Sequence, residues 1–301
     1  MIFVLLFYIY DEWSLSMEKS ERIVSSNSLY VDMCYFSGFN SPVDGLAIYF
    51  FNSASTSAIL NCMYEHNKNN DDFRGTVFVL SSNSLIKNQV FFNCSRYRST
   101  TLHVESLNDS IVSCISVSHC HVERNPITFL YSGDKVSYMN FSTNKATLEI
   151  STMWMRSYIR KSYAYFIYII KNESDNIMEL TNSLISHCVF LQNKILLNYG
   201  LVRLAYSYSE MQNSSIFQNT GAYLFSSFDS YLTIRNCISD EPQSRFVCCN
   251  GFQGCIFSAS SFSSFEWNHT KGCIILYDPD STQSRGTKYI SYVLLTSIIL
   301  D

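Results

Sequence analysis

The chain has 301 residues, 47% of them apolar and 15% charged, with a formal net charge of −4 at pH 7. That balance excludes the basic footprint of a nucleic-acid-binding protein, and the excess of Tyr (21) and Phe (22) over Gly (10) and Pro (4) excludes a collagen-like or disordered chain. The apolar share suffices for one large core, although length alone would suggest about two domains.

In chain order, Met1 to Tyr10 is an apolar run with the length of a signal-peptide core, too short to span a bilayer. It has no positive leader, and Asp11-Glu12-Trp13 follows where small residues should mark cleavage. Residues 1–27 therefore read as a secretory signal, as an N-terminal cap strand, or as the product of a misplaced start codon.

From Ser28 onward a phrase recurs. It has a small polar residue, usually an aliphatic two positions later, an aromatic or Val at seven, and often Asn or Cys at ten. Copies start at Ser28 (Tyr30, Tyr35), Ser57 (Ile59, Tyr64, Asn67), Ser84 (Ile86, Phe91, Cys94), Ser110 (Val112, Val117, Cys120), Asp134 (Val136, Phe141, Asn144) and Ser183 (Ile185, Phe190, Asn193). Successive starts differ by about 29, 27, 26, 24 and 49, a period that marks stacked-repeat folds. The last step is near two periods, so one copy between Asp134 and Ser183 is degenerate or interrupted. Each copy buries its apolar face only against its neighbours, which predicts a stack rather than a globule.

A second phrase follows each first one, opened by a small residue and continued by alternating apolar positions. It reads at Gly45-Leu46-Ala47-Ile48-Tyr49, Gly75-Thr76-Val77-Phe78-Val79, Thr101-Leu102-His103-Val104, Ile127-Thr128-Phe129-Leu130, Ala146-Thr147-Leu148-Glu149-Ile150, Gly200-Leu201-Val202-Arg203-Leu204 and Gly221-Ala222-Tyr223-Leu224-Phe225. Short segments rich in β-branched and aromatic residues with period two are strands. Two or three per period, joined by Asn, Ser and Gly turns, predict an all-β parallel solenoid of roughly eight to ten rungs over residues 28–278. A leucine-rich repeat would need its own Leu-x-x-Leu-x-Leu run, which is not present.

Between Ile150 and Thr181 the phrase is lost, and Arg156, Arg160 and Lys161 interleave with Tyr158, Tyr163, Tyr165 and Tyr168. Insertions into a solenoid often carry its binding surface, which makes Arg156, Tyr158, Arg160, Lys161 and Tyr163 a candidate interaction loop. The alternative is an irregular rung at about 151–182 whose Phe166, Ile167 and Ile169 rejoin the core. Further on, Cys255, Phe257 and Phe262 fit the first phrase, and Gly272-Cys273-Ile274-Ile275-Leu276 fits the second. Residues 279–301 read as a C-terminal cap or a truncated membrane anchor.

Most of the eleven cysteines sit inside the repeat. Cys62, Cys94, Cys120, Cys188 and Cys237 look like rung positions, that is, buried thiols behaving as small hydrophobes. Cys248-Cys249, Cys255, His269 and Cys273 offer ligand types that zinc takes but lack paired knuckle spacing, so packed thiols or a disulfide are the better reading. No cofactor is expected. Six sequons, at Asn93, Asn108, Asn140, Asn172, Asn213 and Asn268, permit N-glycosylation in a secreted chain.

Catalysis would need clustered carboxylates. Glycoside cleavage uses an acid and a base across one bond, but Asp71 and Asp72 lie in a polar stretch that reads as a solvated turn, and Asp240-Glu241 and Asp278-Pro279-Asp280 form no visible carboxylate stack. With Leu102 and Val104 inward, His103 and Glu105 should point outward, as should Thr128 and Glu149 on later rungs. His103 and Glu149 are two rungs apart, too far for an acid–base pair, and read as surface residues.

Phe141-Ser142-Thr143-Asn144 and Phe190-Leu191-Gln192-Asn193 match Phe-x-x-Asn in full, and Gly45-Leu46-Ala47-Ile48 approaches Gly-Gly-Ala-Ile. On these motifs residues 28–278 resemble polymorphic outer-membrane-protein type surface repeats, as in the expanded β-helix families of parasitic protists. The resemblance implies a right-handed, pectin-lyase-like parallel β-helix and an adhesin-like, non-catalytic surface or secreted protein that contacts proteins or glycans. Other readings are a carbohydrate-active enzyme of the same shape, or an intracellular solenoid if the first residues are not a signal. Membrane association would come only through a terminal anchor.

Overall fold

The computed structural model describes residues 2–4, 22–25, 27–40, 46–69, 75–96, 100–131, 135–147, 151–157, 160–197, 200–205, 208–228, 230–240, 247–249 and 256–258. Among them the chain is all-β without a helix, and parallel strands stack as a solenoid of about seven turns. The spacing suggested eight to ten; ten first sides stack, and the lower figure arises because the outermost turns have no third-side strand among the described residues.

Each turn has three sides. In the turn that begins at Ile48, the first side is residues 48–52, the second is 57–65 with a kink at Asn61, and the third is Lys68–Asn69. First sides stack in the order Ile23–Ser25, 48–52, 77–81, 102–106, Thr128–Tyr131, Ser151–Arg156, Asn176–Thr181, Val202–Ala205, Phe225–Phe228 and Val247–Cys249. The third sides make a separate six-stranded sheet from Lys68–Asn69 to Lys194–Ile195.

The recurring phrase is the second side of the coil, and its apolar positions are the core. Ile59, Ile86, Val112, Val136, Ala164, Ile185 and Met211 form one inward column, and Tyr64, Phe91, Val117, Phe141, Ile169, Phe190 and Ile216 a second; none is more than 1% exposed. Parallel in-register pairing places like side chains on one another, so Phe36, Tyr64 and Phe91 stack with centroids 5.2 and 4.5 Å apart. Offset aromatic stacking adds about 0.5–1.5 kcal/mol per pair beyond burial.

Register corrects several sequence expectations. Leu29 pairs with Ser57, so the first copy starts one residue later than Ser28 and turns Val31 and Phe36 inward. Tyr30 and Tyr35 lie outside, where their hydroxyls donate to Asp32 and Glu65. The copy missing after Asp134 is Ser162, Ala164, Ile169 and Asn172, disguised by Ala and Ile where larger residues recur. Ser209, Met211, Ile216 and Asn219 are a further copy. Ala146 and Thr147 belong to a third side, and Ser151–Arg156 is the first side of the next turn. Gly221 also stands on the third side, against Ile195, where a Cβ would come within 2.6 Å of the Ile195 Cβ. Thr128 pairs with Leu102 and faces the core at 0% exposure, leaving Phe129 to point outward.

The corners use left-handed backbone without much glycine. One column of positive φ runs through Met33, Asn61, Asn88, Cys114, Tyr138, Phe166, His187, Asn213 and Asn236, and a second through His66, Asn93, His119, Thr143, Lys171, Gln192 and Gln218. Such a conformation costs an L-residue roughly 1–2 kcal/mol. The second column keeps its residues in the ladder: His66, Asn93, His119, Thr143, Lys171 and Gln192 each donate the backbone N–H to a carbonyl of the next turn at 2.9–3.2 Å.

Directly after that column comes a buried ladder: Asn67, Cys94, Cys120, Asn144, Asn172, Asn193 and Asn219. Asn144, Asn172 and Asn193 each donate Nδ2 to the Oδ1 of the next Asn at 2.9, 3.3 and 2.9 Å. Their Oδ1 atoms accept the backbone N–H one turn back at 2.8–2.9 Å, and their Nδ2 groups also reach Val117, Phe141 and Ile169 carbonyls. These buried amides are thus well satisfied, which makes a polar column tolerable inside an apolar coil.

Candidate interaction face

Strand alternation sends every second residue of the second side outward. At its start these positions form the column Ala58, Leu85, Ile111, Lys135, Tyr163, Leu184 and Glu210. Ile111 is 44% and Tyr163 37% exposed, and beside them Leu107, in the bend before Ser110, is 57% and Tyr208 70% exposed. Charges are interspersed among these apolar groups, with Lys135 standing between Ile111 and Tyr163 in the column. Arg160 Nη1 meets Asp109 Oδ1 at 3.1 Å, and Glu210 is shared by Lys161 and Arg235, each at 3.6 Å. The Tyr163 ring stacks beside Tyr165, centroids 6.5 Å apart.

Of the five residues proposed as an interaction loop, the structure brings Arg160, Lys161 and Tyr163 together on this face. Arg156 goes to the outer face of the first side, where its guanidinium lies 5.3 Å from the Trp154 ring centroid, and Tyr158 lies outside the described residues. Leu107, Ile111 and Tyr208 were not picked out from sequence. The signal was available in Leu107, a large apolar residue in a bend where polar residues prevail.

The first side's outer column is closed by its own aromatic rings. Tyr49, Phe78, His103, Phe129 and Trp154 follow one another at 5.3, 4.9, 4.6 and 5.0 Å, and Phe78 is fully buried. His103 does point outward as expected, yet it is largely covered, and its Nε2 pairs with Glu105 Oε1 at 2.7 Å. Further along this face burial pushes the Glu179 carboxyl up, opposed by Arg203 at 3.6 Å and by Arg156.

Among the described residues no three His, Cys, Asp or Glu gather as a metal site. Cys248 and Cys249 lie in a strand of the first side, while Cys255, His269 and Cys273 are outside the described residues. So are Asp71, Asp72, Glu149, Glu241, Asp278 and Asp280. Asp240 accepts the Gln218 backbone N–H at 2.9 Å.

The sequons differ in environment. Asn108 is exposed in the bend with Leu107, Asn93 and Asn213 are corner residues, and Asn140 is half-buried. Asn172 is 1% exposed and fixed in the Asn ladder, so a folded turn leaves no room for a glycan there. Asn268 lies outside the described residues. Expressed in a glycosylating host, the folded chain should carry a glycan at Asn108 and none at Asn172, as read by mass spectrometry of glycopeptides.

A scan of protein-family models found no match, and no curated protein sequence matches the chain.

Proposed function

We propose that the chain is a non-catalytic, adhesin-like binding scaffold of the polymorphic outer-membrane-protein type, secreted or displayed at a surface, that engages a protein or glycan partner. The observation that carries this reading is the face where Leu107, Ile111, Tyr163 and Tyr208 stand exposed beside paired charges on a rigid ladder. Exposed large apolar side chains interspersed with charge suit a contact surface, and Tyr buries area while keeping a polar tip wet. Parallel in-register pairing holds the residues at fixed spacing, so little ordering cost is left for binding.

Two measurements test it. Protease and endoglycosidase applied to intact cells that make the protein should cleave it from outside and reduce its mass; a protected, unglycosylated chain overturns the export half. Where the purified chain binds cells or a glycan array, the double variant Ile111→Glu, Tyr163→Glu should lose about tenfold or more in affinity, the scale of losing roughly 1 kcal/mol or more at a contact centre. Unchanged binding would remove this face from the proposal.

A further inference from the structure

Six described cysteines are free thiols, Cys34, Cys62, Cys94, Cys120, Cys188 and Cys237, whereas Cys114 is disulfide-bonded. Strand register sorts them. Tyr35 pairs with Met63, and the Met63 N–H donates to Cys34 O at 2.9 Å, so Cys34 stands directly on Cys62. Ser95 pairs with His121, and the His121 N–H donates to Cys94 O at 3.0 Å, so Cys94 stands directly on Cys120. Cys188 and Cys237 share the column of Cys34 but are separated by Ser214.

Neighbouring positions in a parallel ladder are about 4.8 Å apart, inside the window of roughly 4.4–6.8 Å between the Cα atoms of a disulfide. Two turns put Cys188 and Cys237 about 10 Å apart, outside it. Each of the four Sγ atoms donates to a backbone carbonyl. The pairs are also polarised. The Cys62 thiol holds Cys34 below the usual thiol range, while burial pushes Cys62 well above it. Burial works against ionisation of Cys94, but the Cys120 thiol and the Arg96 guanidinium bring it below the usual range; burial pushes Cys120 well above.

We propose that Cys34–Cys62 and Cys94–Cys120 are two inter-turn disulfide sites, closed by exchange with a small-molecule disulfide such as oxidised glutathione, while Cys188 stays a thiol. The thiolate of Cys34 or Cys94 attacks the reagent's S–S bond and expels one reagent thiolate. The thiolate of Cys62 or Cys120 then attacks the protein-bound sulfur of the mixed disulfide and expels the second. The protein loses two hydrogens per bridge, and the reagent is reduced to two thiols. Since the folded turn buries these sulfurs, exchange takes place as the turns close, before the neighbouring coil covers them. The inference does not depend on where the protein resides.

The test is refolding of the full chain, unfolded and reduced, in a glutathione redox buffer. The monomeric, β-rich fraction is alkylated and digested with trypsin without reduction. The peptide 23–68, which carries both Cys34 and Cys62, should be lighter by two hydrogens and free of alkylation. The peptide 88–96 should be linked to 99–124, with fragment ions placing that bridge on Cys120, since Cys114 of the same peptide is held in a disulfide of its own, and Cys188 should be alkylated once the chain is unfolded. In the Cys94→Ser chain, Cys120 should be alkylated while the Cys34–Cys62 bridge persists. Alkylated Cys94 and Cys120 in the β-rich fraction, bridges from Cys34, Cys62, Cys94 or Cys120 to any other partner, or a Cys188–Cys237 bridge would overturn the proposal.

Discussion

Replacing Asn172 by Ala is expected to cost about 3–5 kcal/mol of stability, the scale of orphaning two or three buried polar groups at roughly 1–3 kcal/mol each. Asn172 Oδ1 accepts the Asn144 backbone N–H at 2.9 Å, and Nδ2 donates to Phe141 O at 2.9 Å, so both are left without that partner in the coil interior. The link to Asn193 through Nδ2 is cut as well. Because a solenoid is held by nearest-neighbour interfaces, a break in mid-ladder should also spoil the cooperativity of unfolding. Denaturant titration followed by circular dichroism should show a lower midpoint and a broader or split transition. Asn172→Cys should lose about half as much, because in two turns the chain itself puts Cys in this column, with Cys94 Sγ 3.6 Å from Tyr64 O and Cys120 Sγ 3.9 Å from Phe91 O. A loss below about 1 kcal/mol for the Ala variant would mean that water or relaxation replaces the ladder.

The same column shows what sequence can carry. A residue's place in the turn was legible wherever its chemistry recurs: Ile59, Ile86 and Val112 at one position and Tyr64 and Phe91 at another point inward as their spacing implied, while Asn67, Asn144 and Asn193 recur at a third whose burial the spacing did not show. Legibility failed where packing accepts a substitute of different class. Ala164 and Ile169 fill the core as well as Val136 and Phe141 do, yet they hid a whole turn. It failed again at first sides that start off the common spacing, at Ser151 and Phe225, because third sides and their bends vary in length and only register fixes the count. The corners were harder still. Left-handed φ at Met33, Tyr138 and Phe166 is sustained by the neighbouring coils and has no local sequence signature. The exposed face was half legible, since Arg160, Lys161 and Tyr163 are local in sequence while Leu107, Ile111 and Tyr208 join them only through stacking.

Arg96 breaks the pattern from inside, and its replacement by Met is expected to stabilise the chain by about 1–4 kcal/mol, the range seen when buried charges give way to apolar residues of similar volume. The column it occupies on the third side holds Val122, Ala146 and Ile195 in later turns. Arg96 is 4% exposed, its Nη2 donates to Thr76 Oγ1, and its Nε and Nη1 have no partner among the described residues. Burial brings its pKa down to about 10, against the weaker pull of the Cys94 and Cys120 thiols. The sign of the linkage follows. Below about pH 10 the folded chain carries a buried cation at full cost, and above it the folded chain releases a proton that the unfolded chain still holds, so the cost shrinks as pH rises. The stability gained by Arg96→Met should therefore be constant through neutral pH and narrow above about pH 10, measured by denaturant titration at each pH. Arg96→Ala separates the two effects: it also removes the charge but leaves a cavity, so it should gain less than Met or lose stability. A Met variant less stable than its parent at pH 7 would mean that the guanidinium is neutralised by an anion inside the coil.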